Sequence, residues 1–151
     1  MGNAARILDS AAIMAGRAEK DRISVVVSAV ASVSNKLQES IDKTVAGAVP
    51  EEFIDSIKNI HSTICNEIAQ SLSDFDTKAV MNELESVFAE YEQLLNAVSA
   101  FGECPTSAYC RIMGIGERLS SPIVAAVLKA KGQSVCILDS RKYIYTTGNQ
   151  T

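Results

Sequence analysis

Helical spacing of apolar residues predicts four amphipathic helices before residue 101. The predicted helices cover residues 3–19, 34–47, about 50–70 and about 77–100. The third helix carries a stripe of isoleucines, and the fourth has an apolar face that runs from Val80 to Val98. Because only a short loop joins these two helices and both have polar outer faces, we expect them to pack as an antiparallel pair.

Three other segments have the composition of β-strands. Arg22–Val30 (RISVVVSAV) is a β-branched run, which predicts a strand buried on both faces. Gln133–Ser140 predicts a second apolar strand, and Lys142–Gly148 predicts a third, short one. Between the first two, the pattern predicts a helix from about 106 to 131, with a kink or short break at Pro122.

The order of these elements predicts an α/β fold that is mostly helical by residue count. Strands separated by helices form parallel sheets with right-handed crossovers. Two or three strands make a small sheet for so many helices, so we expect the chain to be one part of a larger fold. The same pattern leaves open a small, mostly helical domain.

Composition and charge argue against several classes of protein. The chain has 151 residues, of which 47% are hydrophobic and 21% charged, as in a domain with a packed core. Its formal net charge is −4 and it has no basic cluster, so we expect no nucleic-acid partner. No apolar run approaches the roughly 18 residues of a transmembrane helix, and the start lacks a signal-peptide pattern. We therefore expect a cytoplasmic protein with no membrane partner.

The cysteines and the single histidine do not predict a metal site. Cys65, Cys104, Cys110 and Cys136 have none of the paired spacings of zinc ligands. We expect all four to be reduced thiols in or near the core. His61 lies beside the isoleucine stripe, and we interpret it as a helix-face residue and not as a ligand or catalytic base.

Two stretches have the small and polar residues that a ligand site requires. In VVVSAVASVSN, Ser28 and Ala29 end the predicted strand and Ser34 starts the next helix. N–H groups at such a place can bind a carboxylate or phosphate, although a plain turn with capping serines has the same sequence. In GIGERLSS, Glu117 lies among small residues, where it would either bind an ammonium group or pair with Arg118 or a lysine.

Three stretches together carry a family resemblance. VVVSAVASVSNKL (25–37), GECPTSAYCRIMGIGERLSSPIVAAVLKAKG (102–132) and VCILDSRKYIYTTGN (135–149) resemble the N-terminal lobe of aspartate kinases, in the amino acid kinase family. GECPTSA is similar to the forms fused to homoserine dehydrogenase. The resemblance implies a partial amino acid kinase domain over residues 1–151 with a three-layer fold, in which residues 50–100 are a helical insertion.

The resemblance also implies four residues that bind L-aspartate. Ser28 and Ala29 match the strand-end pair that contacts aspartate. Ser34 stands where the family usually has a threonine, and the hydroxyl is retained. Glu117 matches the glutamate that engages the aspartate amino group.

The activity implied by the resemblance is phosphorylation of the β-carboxylate of L-aspartate by ATP with Mg²⁺, the first step toward lysine, methionine and threonine. The family's KFGG(T/S)SV loop, whose lysine and glycines hold the phosphates, does not occur in this sequence. The resemblance also implies an ATP-binding C-terminal lobe and regulatory domains, which we expect to lie outside this chain. We therefore expect no catalytic, cofactor-binding or metal-binding residue in this chain.

Further expectations follow from the same resemblance. The chain alone should be inactive, and marginally stable or self-associating, whereas the parent enzyme should be a homo-oligomer. Asp139 and Arg141 match a D-x-R pattern that we interpret as structural or loop-ordering. Two other functions stay open: a different amino acid kinase, such as one acting on glutamate, and a non-catalytic helical binding module.

Overall fold

The computed structural model describes residues 2–144, and within them it contains helices and no β-strand. The helices are α1 (Ala4–Ala18), α2 (Val33–Val45), α3 (Glu51–Ser71), α4 (Thr77–Phe101), α5 (Thr106–Met113), α6 (Ile115–Ala130) and a short 3₁₀ helix (Ser140–Lys142). The predicted parallel sheet, and with it the α/β fold class, is therefore wrong for this part of the chain. The mostly helical alternative is the architecture observed.

The segments predicted as the first two strands are irregular. Residues 22–30 and 133–139 form neither helix nor strand. A strand needs a neighbouring strand to pair its N–H and C=O groups, and these runs have none among residues 2–144. Some of their apolar side chains are consequently exposed, Val26 at 98% and Leu138 at 68%. The third predicted strand, Lys142–Gly148, lies mostly outside the described residues.

α3 and α4 form the antiparallel pair that the sequence predicted. A short connection, residues 72–76, joins them. Their contacts run in opposite order along the two helices: the Thr77 hydroxyl donates to the Cys65 carbonyl at 3.4 Å, and Lys58 Nζ lies 2.9 Å from Glu85 Oε1. α4 ends at Phe101 and is capped by Gly102, whose φ of 69° lies in the left-handed region that glycine adopts without a steric cost.

α6 is the central helix of the structure, since it contacts each of the other five α-helices. This position explains its apolar sequence, because side chains on several of its sides are buried. The large buried side chains are Ile115, Leu119, Ile123, Val124, Val127 and Leu128. Neither α6 nor any other helix within the described residues is long and apolar enough to cross a membrane.

The predicted helix at 106–131 divides at Gly114 and not at Pro122. Gly114 separates α5 from α6, whereas α6 continues through Pro122. A proline inside a helix removes one backbone hydrogen bond. Pro122 is buried, and packing of α6 on its neighbours offsets that loss. The predicted break at this residue is therefore wrong.

The four cysteines are all free thiols, but their burial differs from the prediction. Cys65 is buried and Cys104 is partly buried, which agrees with a core or near-core position. Cys110 and Cys136 are exposed, so the prediction is wrong for these two. Burial raises the pKa of the Cys65 thiol to about 11, which keeps it protonated and unreactive near neutral pH.

Candidate functional site

The two stretches that carry candidate chemistry meet at the beginning of α6. Ser120 donates its hydroxyl to the Ser28 carbonyl at 2.9 Å, although the two residues are 92 positions apart in the chain. Ala29 lies directly against Gly116. The end of the irregular segment 22–30 and the first turns of α6 are therefore one local structure.

The contact between Ala29 and α6 requires a residue without a Cβ at position 116. A Cβ added at Gly116 would lie 2.6 Å from the Ala29 Cβ, closer than real Cβ atoms approach one another. It would also lie 3.5 Å from side-chain atoms of Val33 and Leu37, which belong to α2. The second glycine of GIGE thus allows the backbone of α6 to approach the segment before α2.

Glu117 lies in the first turn of α6 with an exposed side chain. Its carboxylate has no ion pair or hydrogen bond with any of residues 2–144. The alternative partner considered from the sequence, Arg118, instead pairs with Glu90 of α4 at 2.7 Å. The Glu117 carboxylate is therefore available for an ammonium group of a ligand.

Glu90 of α4 pairs with two arginines, Arg111 of α5 and Arg118 in the first turn of α6. Its Oε1 lies 2.8 Å from Arg111 Nη2, and its Oε2 lies 2.7 Å from Arg118 Nη1. Partial burial raises the pKa of Glu90, but the hydrogen bonds and charges of the two arginines outweigh it and lower the pKa overall. These charge-assisted bonds join α4 to both α5 and α6 beside the candidate site.

Ser34 is not joined to the other three predicted residues by a hydrogen bond. It is the second residue of α2, it is exposed, and its hydroxyl has no hydrogen-bond partner among residues 2–144. The helix begins after Ser32, whose φ of 68° is uncommon for a residue with a Cβ. The Ser32 side chain does not cap the helix, so the first-turn N–H groups of α2 lack that acceptor.

A cleft of about 380 Å³ lies beside the same turn. The start of α1, the turn at residues 30–32 and α3 line it. Asn59, Thr63 and Glu67 follow one another at four-residue spacing and give the cleft a polar wall. None of the four predicted residues lines this cleft. Its polar spacing is visible in the sequence, but we interpreted α3 only as part of a helical insertion.

Ser120 is a further residue that the sequence interpretation missed. It is 1% exposed, and the other buried positions of α6 are apolar. Because a buried hydroxyl needs an acceptor, a serine at such a position signals a polar contact across the core. That signal is present in the sequence, but it does not identify Ser28 as the partner.

Asp139 and Arg141 organise the loop that follows residue 132. Asp139 accepts hydrogen bonds from the backbone N–H of Arg141 at 3.1 Å and from its guanidinium at 2.9 and 2.7 Å. These bonds lower the pKa of Asp139 to about 2. The geometry is that of a local loop-ordering pair at the start of the 3₁₀ helix.

The described residues do not assemble a metal site. Within residues 2–144, no three His, Cys, Asp or Glu side chains lie close enough together to hold a metal ion. The His61 ring is buried in the core, where its Nδ1 lies 2.8 Å from the Ile57 carbonyl. Burial lowers the pKa of His61, so the neutral ring is the form favoured in the folded protein.

Comparison with known proteins links the chain to one enzyme type. No family model matches it. It is similar to the bifunctional aspartokinase/homoserine dehydrogenase of Buchnera aphidicola subsp. Acyrthosiphon pisum (strain APS), with 26% identity over 149 residues. The match covers 99% of this chain but only 18% of that enzyme, so the chain spans less than two thirds of the length of its relative. The similarity supports a distant relationship to aspartokinase-type enzymes.

Proposed function

We propose that this chain supplies the L-aspartate-binding part of an aspartate kinase, which transfers a phosphoryl group from ATP to the aspartate β-carboxylate. The longer enzyme acts in amino acid biosynthesis toward lysine, methionine and threonine. Residues 1–151 form the N-terminal part of its kinase domain, with residues 50–100 as a helical addition. The chain alone binds the acceptor and does not catalyse the transfer.

The observation that carries this proposal is the junction between Ser28–Ala29 and the beginning of α6. The Ser120 hydroxyl and the Ala29–Gly116 contact bring together two stretches that the aspartate kinase resemblance assigns to one site. Glu117 adds a carboxylate that pairs with no described side chain. The distant similarity to an aspartokinase/homoserine dehydrogenase supports the same assignment.

Two of the proposed residues have a direct chemical role toward an amino acid. Glu117 accepts hydrogen bonds from the α-ammonium group, a charge-assisted interaction. The Ser34 hydroxyl and the first-turn N–H groups of α2 donate to a carboxylate of the ligand. A carboxylate acceptor is already ionised at pH 7, so no strong general base is required. This agrees with a chain whose single histidine, His61, is buried in the core.

The donor set of residues 2–144 does not fit ATP and Mg²⁺. The sequence has no KFGG loop, and the described residues contain no cluster of metal-ligating side chains. We therefore assign those cofactors to other parts of the longer enzyme. No phosphoryl-transfer step is attributed to residues of this chain.

Titration of L-aspartate into the ¹⁵N-labelled chain tests the proposal. We expect amide shift changes grouped at Ser28, Ala29, Ser34 and Glu117, and much smaller ones with L-glutamate. Glu117→Gln removes the charge that pairs with the ammonium group. It should weaken binding by about tenfold or more, since hydrogen bonds to charged groups contribute about 1.5–3 kcal/mol.

Glu83→Gln is the matched control, because Glu83 is an exposed glutamate on α4. It should bind L-aspartate as the unaltered chain does. The proposal is contradicted if a well-folded chain shows no shifts with L-aspartate, or if the two glutamine variants lose affinity equally.

A non-catalytic helical binding module is the second candidate, and the all-helical architecture of residues 2–144 favours it. In that case no amino acid would bind at the beginning of α6. This alternative would be supported if a folded chain shows no amide shift changes with L-aspartate, L-glutamate or related amino acids in the same titration.

A further inference from the structure

We propose that Ser120 is a positioning residue that holds the Ser28–Ala29 half of the site against the Glu117 half. This inference rests on the proposed function, because it concerns the same aspartate site. Ser120 does not need to touch the ligand. It acts through the two backbone segments that its hydroxyl joins.

The geometry of the hydroxyl supports this role. Ser120 Oγ lies 2.9 Å from the Ser28 carbonyl and 3.1 Å from the Glu117 carbonyl. A hydroxyl has one hydrogen, so the two carbonyls share it or alternate as acceptors. The side chain is 1% exposed, and water therefore does not compete for the bond.

The segment that receives this bond has no regular secondary structure. Residues 22–30 form neither helix nor strand, so a hydrogen-bonded ladder does not set their position relative to α6. The Ala29–Gly116 contact brings the two backbones close, but an apolar contact alone does not fix their register. A directional hydrogen bond from Ser120 supplies that register.

Register matters because residues 28–30 lead directly into α2, whose first turn would bind the ligand carboxylate, whereas Glu117 would bind the ligand ammonium group. Ligand groups must meet their partners within about 0.5 Å for full affinity, and supporting hydrogen bonds maintain that precision. If Ser28 and Ala29 move relative to Glu117, the site no longer matches the separation of the ligand's ammonium and carboxylate groups. Loss of Ser120 should therefore reduce affinity without altering any group that contacts the ligand.

The neighbouring serine provides a matched control. Ser121 donates its hydroxyl to the same Glu117 carbonyl at 2.6 Å, within the helix. No hydrogen bond joins its side chain to Ser28 in the described part of the chain. Ser121→Ala therefore removes a hydroxyl from the same turn of α6 while leaving the connection to Ser28 intact.

The experiment compares Ser120→Ala, Ser121→Ala and the unaltered chain in two measurements. The first is the L-aspartate dissociation constant from the NMR titration. The second is the backbone ¹⁵N order parameters of residues 28–30. We expect Ser120→Ala to bind about tenfold more weakly, as for loss of one well-formed buried hydrogen bond, and to lower those order parameters. Ser121→Ala should stay within about twofold in affinity and unchanged in order.

The outcomes separate this inference from the proposed function. If the unaltered chain binds L-aspartate and Ser120→Ala behaves like Ser121→Ala, the positioning role is wrong and the proposed function stands. If the folded, unaltered chain does not bind L-aspartate, the proposed function fails and the aspartate-positioning role fails with it. The order parameters then show only whether Ser120 holds residues 28–30 in place.

Should Ser120→Ala not fold, Ser120→Cys is the second variant, because it keeps about the same side-chain volume with a weaker donor. Unchanged L-aspartate affinity and unchanged order parameters in that variant would overturn the inference.

Discussion

The α3–α4 pair and the junction between residues 22–30 and α6 are built in opposite ways. In the pair, two long helices pair their backbone groups internally and bury apolar side chains along their contact. At the junction, an irregular segment lies against a helix through a glycine contact and a serine hydroxyl. Stability thus comes from packed area in one region and from a few specific contacts in the other.

This difference predicts that the two regions will respond differently to substitution. Packing in the helical pair is spread over many buried side chains. Truncating any one large buried side chain leaves a cavity and lowers the free energy of unfolding by about 2–5 kcal/mol. The junction depends on space at one position and on one donor. Exposed apolar residues of segment 22–30, such as Val26, contribute little because they remain in contact with water.

The largest expected effect lies in the helical pair. Leu84 is fully buried in α4 beside Glu85, which pairs with Lys58 of α3, and Leu84→Ala should lower the free energy of unfolding by about 2–5 kcal/mol. Val26→Ala, at a residue 98% exposed, should change it by less than about 0.5 kcal/mol. Urea unfolding followed by circular dichroism measures both. Equal losses in the two variants would show that segment 22–30 is buried in solution and that the comparison drawn above is wrong.

An intermediate effect is expected at the junction. Gly116→Ala places a Cβ 2.6 Å from that of Ala29, so the segments must separate, at a cost of about 1–3 kcal/mol. Gly16→Ala is the matched control, because Gly16 is a helical glycine in α1 with no atom within 4 Å of an added Cβ. That change should stabilise the protein by up to about 1 kcal/mol. A neutral Gly116→Ala would mean that the close approach does not exist.

A smaller, pH-dependent effect is expected in the helical pair. Burial lowers the pKa of His61, with an opposing contribution from its bond to the Ile57 carbonyl. Below the ordinary histidine pKa of 6.5, the unfolded chain binds a proton that the folded chain binds less readily. The free energy of unfolding should therefore fall as pH drops below 6.5, by at most about 1.4 kcal/mol per pH unit for one proton.

His61→Gln isolates this contribution, since glutamine is polar and does not titrate. The difference in unfolding free energy between the two proteins should be constant above pH 7 and change toward pH 5, with the histidine protein losing more stability. Parallel curves across that range would show that His61 titrates equally in both states.

The candidate site could be predicted only in part. Ser28, Ala29 and Glu117 came from a sequence resemblance, and the structure brings them to one junction. Ser34 came from the same resemblance, but no hydrogen bond connects it to them. Ser120 was missed because a single sequence does not reveal which distant carbonyl a buried hydroxyl meets.

The sequence by itself determined the helices, because a helix forms its hydrogen bonds within one segment and shows its buried face at a fixed spacing. α1, α2, α3 and α4 lie where that spacing predicts them, and α3 and α4 pair as their short connection requires. Only the tertiary structure decided the state of residues 22–30 and 133–139, because β-branched runs become strands only beside other strands. It also decided that Gly116 and Ser120 meet Ala29 and Ser28, because contacts between distant segments depend on how the helices pack.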